Sequence, residues 1–179
     1  MLPTGSRMTT VLTELSDIEV TMGTELLEKK DLTKTDSLPL YLFVCTGNTC
    51  RSPMAEALFN HKYSHIAKAL SCGVTATGRT PIAKEASEVL RDRGVAPDNF
   101  AGHISRPAER ELLESADRII GMTGDHANYL MMHHPDLAGK IYAMPKDIFD
   151  PFGCDKATYE RCLSDIEAGL ALAFGNSDE

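Results

Sequence analysis

The sequence has no apolar run long enough to span a membrane, and its opening residues hold no stretch of signal-peptide type. It also lacks a basic cluster. Lys and Arg number 18 against 26 Asp and Glu, for a formal charge of −8. A nucleic-acid partner needs a cationic face, so that class is excluded. There is no Cys-x-x-Cys pair, and the five cysteines are an odd count, three of them far from any regular spacing. These absences lead to the expectation of a soluble cytoplasmic protein without a membrane partner, whose thiols are catalytic, redox-active or buried rather than bridged. His61 and His65 stand four apart in an expected helix. No Cys, Asp or Glu falls at a ligand spacing from them, so solvated histidines are expected and no metal or cofactor is called for.

What is present suits one domain: 179 residues with 42% hydrophobic content can bury a real core. Residues 1–38 are rich in Thr, Glu, Asp and Lys and end in a loop-like Thr-Lys-Thr-Asp-Ser-Leu-Pro. They read as an N-terminal arm or linker, with a short amphipathic helix over 17–30 carried by Ile18, Met22 and Leu26. Residues 39–179 read as the domain proper. Leu40 to Val44 is a continuous apolar run, as in a central parallel strand buried on both faces. Pro53 suits the first residue of a helix whose pattern continues from Met54 to Leu70. Strands are further expected over 70–76, 118–122 and 140–143. Helices are expected over 81–93 (closed by Gly94), 107–115, 125–133 and 156–174. Alternation of this kind gives an α/β fold, a doubly wound four-stranded parallel sheet with helices on both faces. Ligands bind such sheets at the carboxyl ends of the strands, where the segment beginning at Cys45 falls.

That segment reads Cys45-Thr46-Gly47-Asn48-Thr49-Cys50-Arg51-Ser52. Cys, five residues and Arg suffice to wrap a phosphate-binding loop, or P-loop, with a thiolate at the bottom and a guanidinium forking two oxygens. A buried strand before it and a helix after it aim the intervening amides inward at a helix N-terminus, an anion site. Gly47 is expected to take the backbone angle other residues resist, and Asn48 to hold the curve through side-chain hydrogen bonds. The same field favours a Cys45 thiolate. Cys45 would attack phosphorus in line, Arg51 and the amides would stabilise the equatorial oxygens, and Ser52 would hydrogen-bond the sulfur as it leaves. The bland alternative is a buried cysteine beside a surface arginine. The chemistry also needs an acid for the leaving group and then a base for water. Asp147, Asp150 and Asp155 are candidates. Asp150 is preferred because Pro151 holds it extended, and Phe152 could wall the pocket; Asp-Pro as an ordinary turn opener is the competing reading.

Val44 to Glu56 resembles the signature of the low-molecular-weight protein tyrosine phosphatase family, and the likeness continues through most of residues 40–174. Ser71-Cys72-Gly73, His103-Ile104-Ser105-Arg106, Ala116 to Ile120 followed by Met122-Thr123, and Asp150-Pro151 are similar to further family segments, in order. The resemblance implies Cys45 as nucleophile, Arg51 as phosphate clamp and Asp150 as acid and base. It implies a network of Asn48, Ser52, Ser71 and His103 around them, with phosphorylated proteins as partners. It also implies a reversible disulfide between Cys50 and oxidised Cys45, although local chemistry allows Cys50 to be a small buried filler equally well.

Thr49 stands where tyrosine phosphatases of this family usually carry Ile or Leu, and many of them have aromatic residues after Asp-Pro, where this acid loop reads Asp150-Pro151-Phe152-Gly153. Both features look like the bacterial protein arginine phosphatase branch. A hydroxyl can engage a guanidinium N–H or hold the attacking water where an aliphatic group cannot, and Asp147 or Asp150 would attract a cationic leaving group. Phosphoarginine is the expected substrate and phosphotyrosine the alternative, in which case Thr49 merely fills space. An arsenate reductase shares the fold but relays electrons through a mid-chain redox segment, and Cys154 and Cys162 come late for that. A non-catalytic phosphate-binding adaptor should lack the nucleophile or the acid. Arg79, Arg106 and Arg110 are expected on the solvated surface.

Overall fold

A computed structural model describes residues 38–175. The arm expected over 1–38, with its helix at 17–30, lies outside the described residues except for Leu38. Four strands, β1 (Leu40–Cys45), β2 (Lys68–Gly73), β3 (Arg118–Gly121) and β4 (Ile141–Ala143), form one parallel sheet in the order β2-β1-β3-β4. The helices are α1 (Arg51–Lys62), α2 (Lys84–Asp92), α3 (Arg110–Ser115), α4 (Gly124–His133) and α5 (Lys156–Phe174), with 3-10 turns at Pro97–Asn99 and Pro135–Lys140.

The two-residue period of β1 explains why its sequence is apolar throughout. Tyr41, Phe43 and Cys45 face a core built with Met54, Leu58 and Phe59 of α1, Leu90 of α2 and Ile166 and Leu170 of α5. Leu42 and Val44 face the other core, with Leu113 of α3 and Ala127 and Leu130 of α4. Helices therefore cover both faces and a polar residue on either would be stranded. Phe59 centres the first core, its ring 5.7 Å from both Tyr41 and Phe43 and edge-on to Phe174 at 5.2 Å.

Several boundaries differ from the sequence expectation. The helix expected over 54–70 ends at Lys62, where the Tyr63 N–H bonds Phe59 O at 2.7 Å. The chain then returns to the sheet, and Asn60 holds it there through both halves of its amide: Nδ2 donates to Ala69 O at 3.0 Å and Oδ1 accepts from Ala69 N at 2.9 Å. The apolar residues that looked like continuing helix are strand residues of β2. Pro53 is the third residue of α1, not the first. The first i to i−4 bond is Met54 N to Cys50 O at 3.1 Å, so Pro53 takes the last position that needs no N–H. Pro81 and Pro107 precede their helices by three residues, Pro81 forming an isolated bridge to Ile104 and Pro107 one to Gly73.

In this strand order β2 lies on one side of β1 and β3 on the other, so the connections leaving β1 and β3 diverge and open a crevice at their carboxyl ends. Gly73 sets the wall of that crevice. A Cβ on it would lie 2.5 Å from Thr46 O, 2.9 Å from Asn48 N and 3.0 Å from Gly47 C, all backbone of the Cys45 loop. Gly73→Ala should therefore cost about 1–3 kcal/mol by overpacking and displace the loop as well. Thermal unfolding and turnover, measured together, should both fall.

Candidate active site

Cys45 ends β1 with its side chain almost wholly buried, at the bottom of a pocket lined by Thr46, Gly47, Thr49, Cys50, Arg51, Asp150 and Phe152. Its Sγ lies 2.9 Å from Ser52 Oγ and receives the Asn48 N–H at 3.3 Å. Both contacts come from the turn that opens α1.

The left-handed residue of the loop is Asn48, at φ +55°, and not Gly47, whose backbone has no positive φ. Asparagine is among the few residues that tolerate this region, and here every polar atom of its side chain is used. Nδ2 donates to Ser52 Oγ at 2.9 Å and Ser71 Oγ at 2.8 Å, and Oδ1 accepts from Arg106 N at 2.7 Å. The Asn48 carbonyl accepts from His103 Nε2 at 2.9 Å. Ser71 Oγ in turn donates to Glu56 Oε2 at 2.5 Å. Asn48, Ser52, Ser71 and His103 thus lie together behind the loop and brace it. Glu56 and Arg106 join them, neither singled out for this place by the sequence. Arg106, expected on the solvated surface, is half-buried, and its Nη1 donates to Ser71 O at 3.4 Å. Arg110 is exposed, paired with Glu114 and Asp136. Arg79 is exposed too.

Arg51 is buried at the pocket wall. Its Nη2 donates to Asp150 Oδ2 at 2.6 Å and Thr46 Oγ1 at 3.2 Å, and its Nη1 to Ile148 O at 3.4 Å. Nε is buried without a protein partner, a donor that an oxyanion in the pocket could take up. Of the three candidate acids, two have structural duties. Asp147 accepts from Gly124 N at 2.7 Å at the start of α4, and Asp155 caps α5 through Thr158 N at 3.0 Å. Asp150 alone of the three faces the pocket, with its side chain 48% exposed and its Oδ1 accepting the Phe152 N–H at 3.2 Å. Phe152 beside it is solvent-facing at the mouth. His61 is the penultimate residue of α1 and His65 lies in the turn beyond it; both are exposed.

The other thiols near the site are subdued. Burial pushes the Cys50, Cys72 and Cys162 thiols up, so all three stay protonated at neutral pH. Cys50 shares a hydrogen bond with Tyr159 Oη at 3.1 Å, and Cys162 donates to Phe149 O at 3.5 Å. Cys72 belongs to the core on the opposite face of the sheet from Cys50 and Cys162.

Sequence reasoning also missed His126, at 8% exposure in the first turn of α4, whose Nε2 is 3.0 Å from Thr46 Oγ1. A signal existed. β3 adjoins β1, so the loop leaving β3 must border the Cys45 loop, and His126 is the fifth residue after that strand.

A buried cysteine, a helix N-terminus beside it, a guanidinium at the wall and a half-exposed carboxylate at the mouth have the chemistry of phosphoryl transfer through sulfur. Comparison with known proteins agrees. Residues 41–174 match the family model for low molecular weight phosphotyrosine protein phosphatase. The protein-arginine-phosphatase of Bacillus subtilis is 33% identical over 136 residues, covering 70% of this chain and 88% of that protein. The probable low molecular weight protein-tyrosine-phosphatase EpsP of Ralstonia nicotianae is 29% identical over 133 residues, covering 72% and 89%. The crystal structure of the low molecular weight protein tyrosine phosphatase from T. tengcongensis superposes with a TM-score of 0.71 at 32% identity, covering 76% of this chain and 98% of that one. The chain belongs to the low molecular weight protein tyrosine phosphatase family, a family of cysteine-dependent phosphatases.

Proposed function

We propose that this phosphatase hydrolyses phosphoarginine in proteins through a cysteinyl-phosphate intermediate on Cys45. Arg51 clamps the phosphoryl oxygens, and Asp150 serves first as acid and then as base. The resting Arg51–Asp150 ion pair gives way when a phosphoryl group, carrying more charge, competes for the guanidinium. Asp150 is then released to the bridging nitrogen, which must gain a proton before guanidine can leave. In the second step the same carboxylate takes a proton from water, and Ser52 stabilises the departing thiolate.

The observation that carries the arginine reading is Thr49. Thr49 lines the pocket, and among the described residues the one hydrogen-bond contact of its hydroxyl is a long 3.6 Å approach to Cys50 Sγ. That leaves the hydroxyl able to accept from a guanidinium N–H, which a phenol ring could not supply. Relatives named for arginine and for tyrosine stand at comparable identity, so the side chain supports the choice where overall likeness does not. The arsenate reductase reading has nothing comparable in its favour, with Cys162 bonded within the core and Cys154 exposed.

The test is kcat/KM on phosphoarginine and phosphotyrosine peptides of matched sequence. A preference for phosphoarginine of about a hundredfold is expected, roughly 2.7 kcal/mol in the transition state. Thr49→Ile should remove most of it while leaving a simple aryl phosphate within a few-fold. A preference for phosphotyrosine in the parent protein would reduce Thr49 to packing and leave a protein-tyrosine phosphatase.

A further inference from the structure

His126 lies outside the pocket lining, yet a continuous line of hydrogen bonds joins it to the phosphate clamp. His126 Nδ1 is 2.7 Å from Thr123 Oγ1, and Nε2 is 3.0 Å from Thr46 Oγ1. Thr46 Oγ1 in turn receives Arg51 Nη2 at 3.2 Å, and the same Nη2 reaches Asp150 Oδ2 at 2.6 Å. We propose that His126 is a positioning residue: by holding the Thr46 hydroxyl it gives Arg51 a fixed lateral partner that persists when phosphate displaces Asp150. The inference rests on the reading of Arg51 as the phosphate clamp.

The geometry makes the imidazole a bridge between two hydroxyls. With the proton on Nδ1, His126 donates to Thr123 and accepts from the Thr46 O–H; with it on Nε2, both directions reverse. In either tautomer Thr46 Oγ1 keeps a lone pair for Arg51, so the line is unbroken. Burial and the neighbouring Arg51 charge lower the proton affinity of His126, and Asp150, Asp125 and Asp147 oppose them more weakly. A neutral imidazole suits the bridge. The ring is also well anchored, because Thr123 caps α4 and accepts the His126 N–H at 3.3 Å.

Thr46 itself is exposed, and among the described residues its hydroxyl bonds only His126 and Arg51. Without His126 the hydroxyl can turn to water. Once Asp150 has left it, Arg51 then keeps only the long Nη1 bond to Ile148 O at 3.4 Å among the contacts described above, and the guanidinium can swing about it. A misplacement of this size near the reacting group is enough to lower catalysis tenfold or more.

The test uses the full chain and two readouts: kcat/KM on an aryl phosphate, and competitive inhibition by inorganic phosphate. His126→Ala should lower kcat/KM about tenfold and weaken phosphate inhibition by a similar factor. His126→Gln, whose amide reaches the Nε2 position, should restore most of both, whereas His126→Asn, which reaches only the Nδ1 position, should not. On a Thr46→Val background, His126→Ala should add nothing, because the hydroxyl it holds is gone. Equal losses in the Gln and Asn variants, or a full additive loss on the Thr46→Val background, would overturn the proposal. Arg51→Lys is the control for the reading beneath it. If Arg51→Lys leaves phosphate inhibition unchanged, the clamp itself is wrong. If Arg51→Lys abolishes inhibition while His126→Ala does nothing, only the role of His126 falls.

Discussion

Cys45→Ser is expected to abolish turnover of every phosphorylated substrate while leaving the fold and phosphate binding intact. The serine oxygen would occupy nearly the same place, within reach of Ser52 Oγ and the Asn48 N–H. A hydroxyl there remains un-ionised near neutral pH and is a far poorer nucleophile than a thiolate, so the loss should be at least about 10⁴-fold. Cys50, Cys72 and Cys162 cannot substitute, since burial keeps them protonated, and the exposed Cys154 does not line the pocket. Phosphate binding should hold or tighten. Arg51 and the loop amides are untouched, and the repulsion between a thiolate and a bound phosphate dianion disappears. Calorimetric titration with phosphate and a melting curve on the same sample check both halves. Loss of binding together with turnover would show instead that the cysteine was holding the loop.

Asp150→Asn is the second large effect, and its signature is dependence on the leaving group. The amide can still hydrogen-bond Arg51 but has no proton to give and cannot act as a base. General acid catalysis contributes about 10²–10⁴-fold, and nearly all of it should be lost on a phosphoarginine peptide, whose guanidine is too basic to leave unprotonated. An aryl phosphate with an acidic phenol needs no proton in the first step and should lose far less there. Steady-state rates across a series of phenols of graded acidity measure this directly. A uniform loss across the series would assign Asp150 to holding Arg51 rather than to proton transfer.

The parts of the site that were legible in the sequence are those fixed by local chemistry. An apolar strand, a Cys-to-Arg loop and a proline early in the following helix define an anion site without knowledge of the rest of the chain. Asp150 was legible because proline restrains the residue before it. What escaped was decided by distant segments. Asn48 takes the left-handed position because Ser52, Ser71 and Arg106 together satisfy its side chain, and nothing adjacent to it shows that. The end of α1 depends on Asn60 gripping Ala69 across a turn, which periodicity cannot register when strand and helix residues are equally apolar. His126 reaches the site only because β3 pairs with β1, a fact of topology rather than of spacing.

The most direct test of the account asks where the phosphoryl group rests between the two steps. Rapid acid quenching of Asp150→Ala during turnover of an aryl phosphate, followed by peptide mass mapping, should find one phosphoryl group on the peptide holding Cys45. It should be carried on sulfur, and not on the hydroxyls of Thr46, Thr49 or Ser52 beside it. A phosphoryl group on any other residue, or rapid product release with none on the protein, would contradict the central role of Cys45.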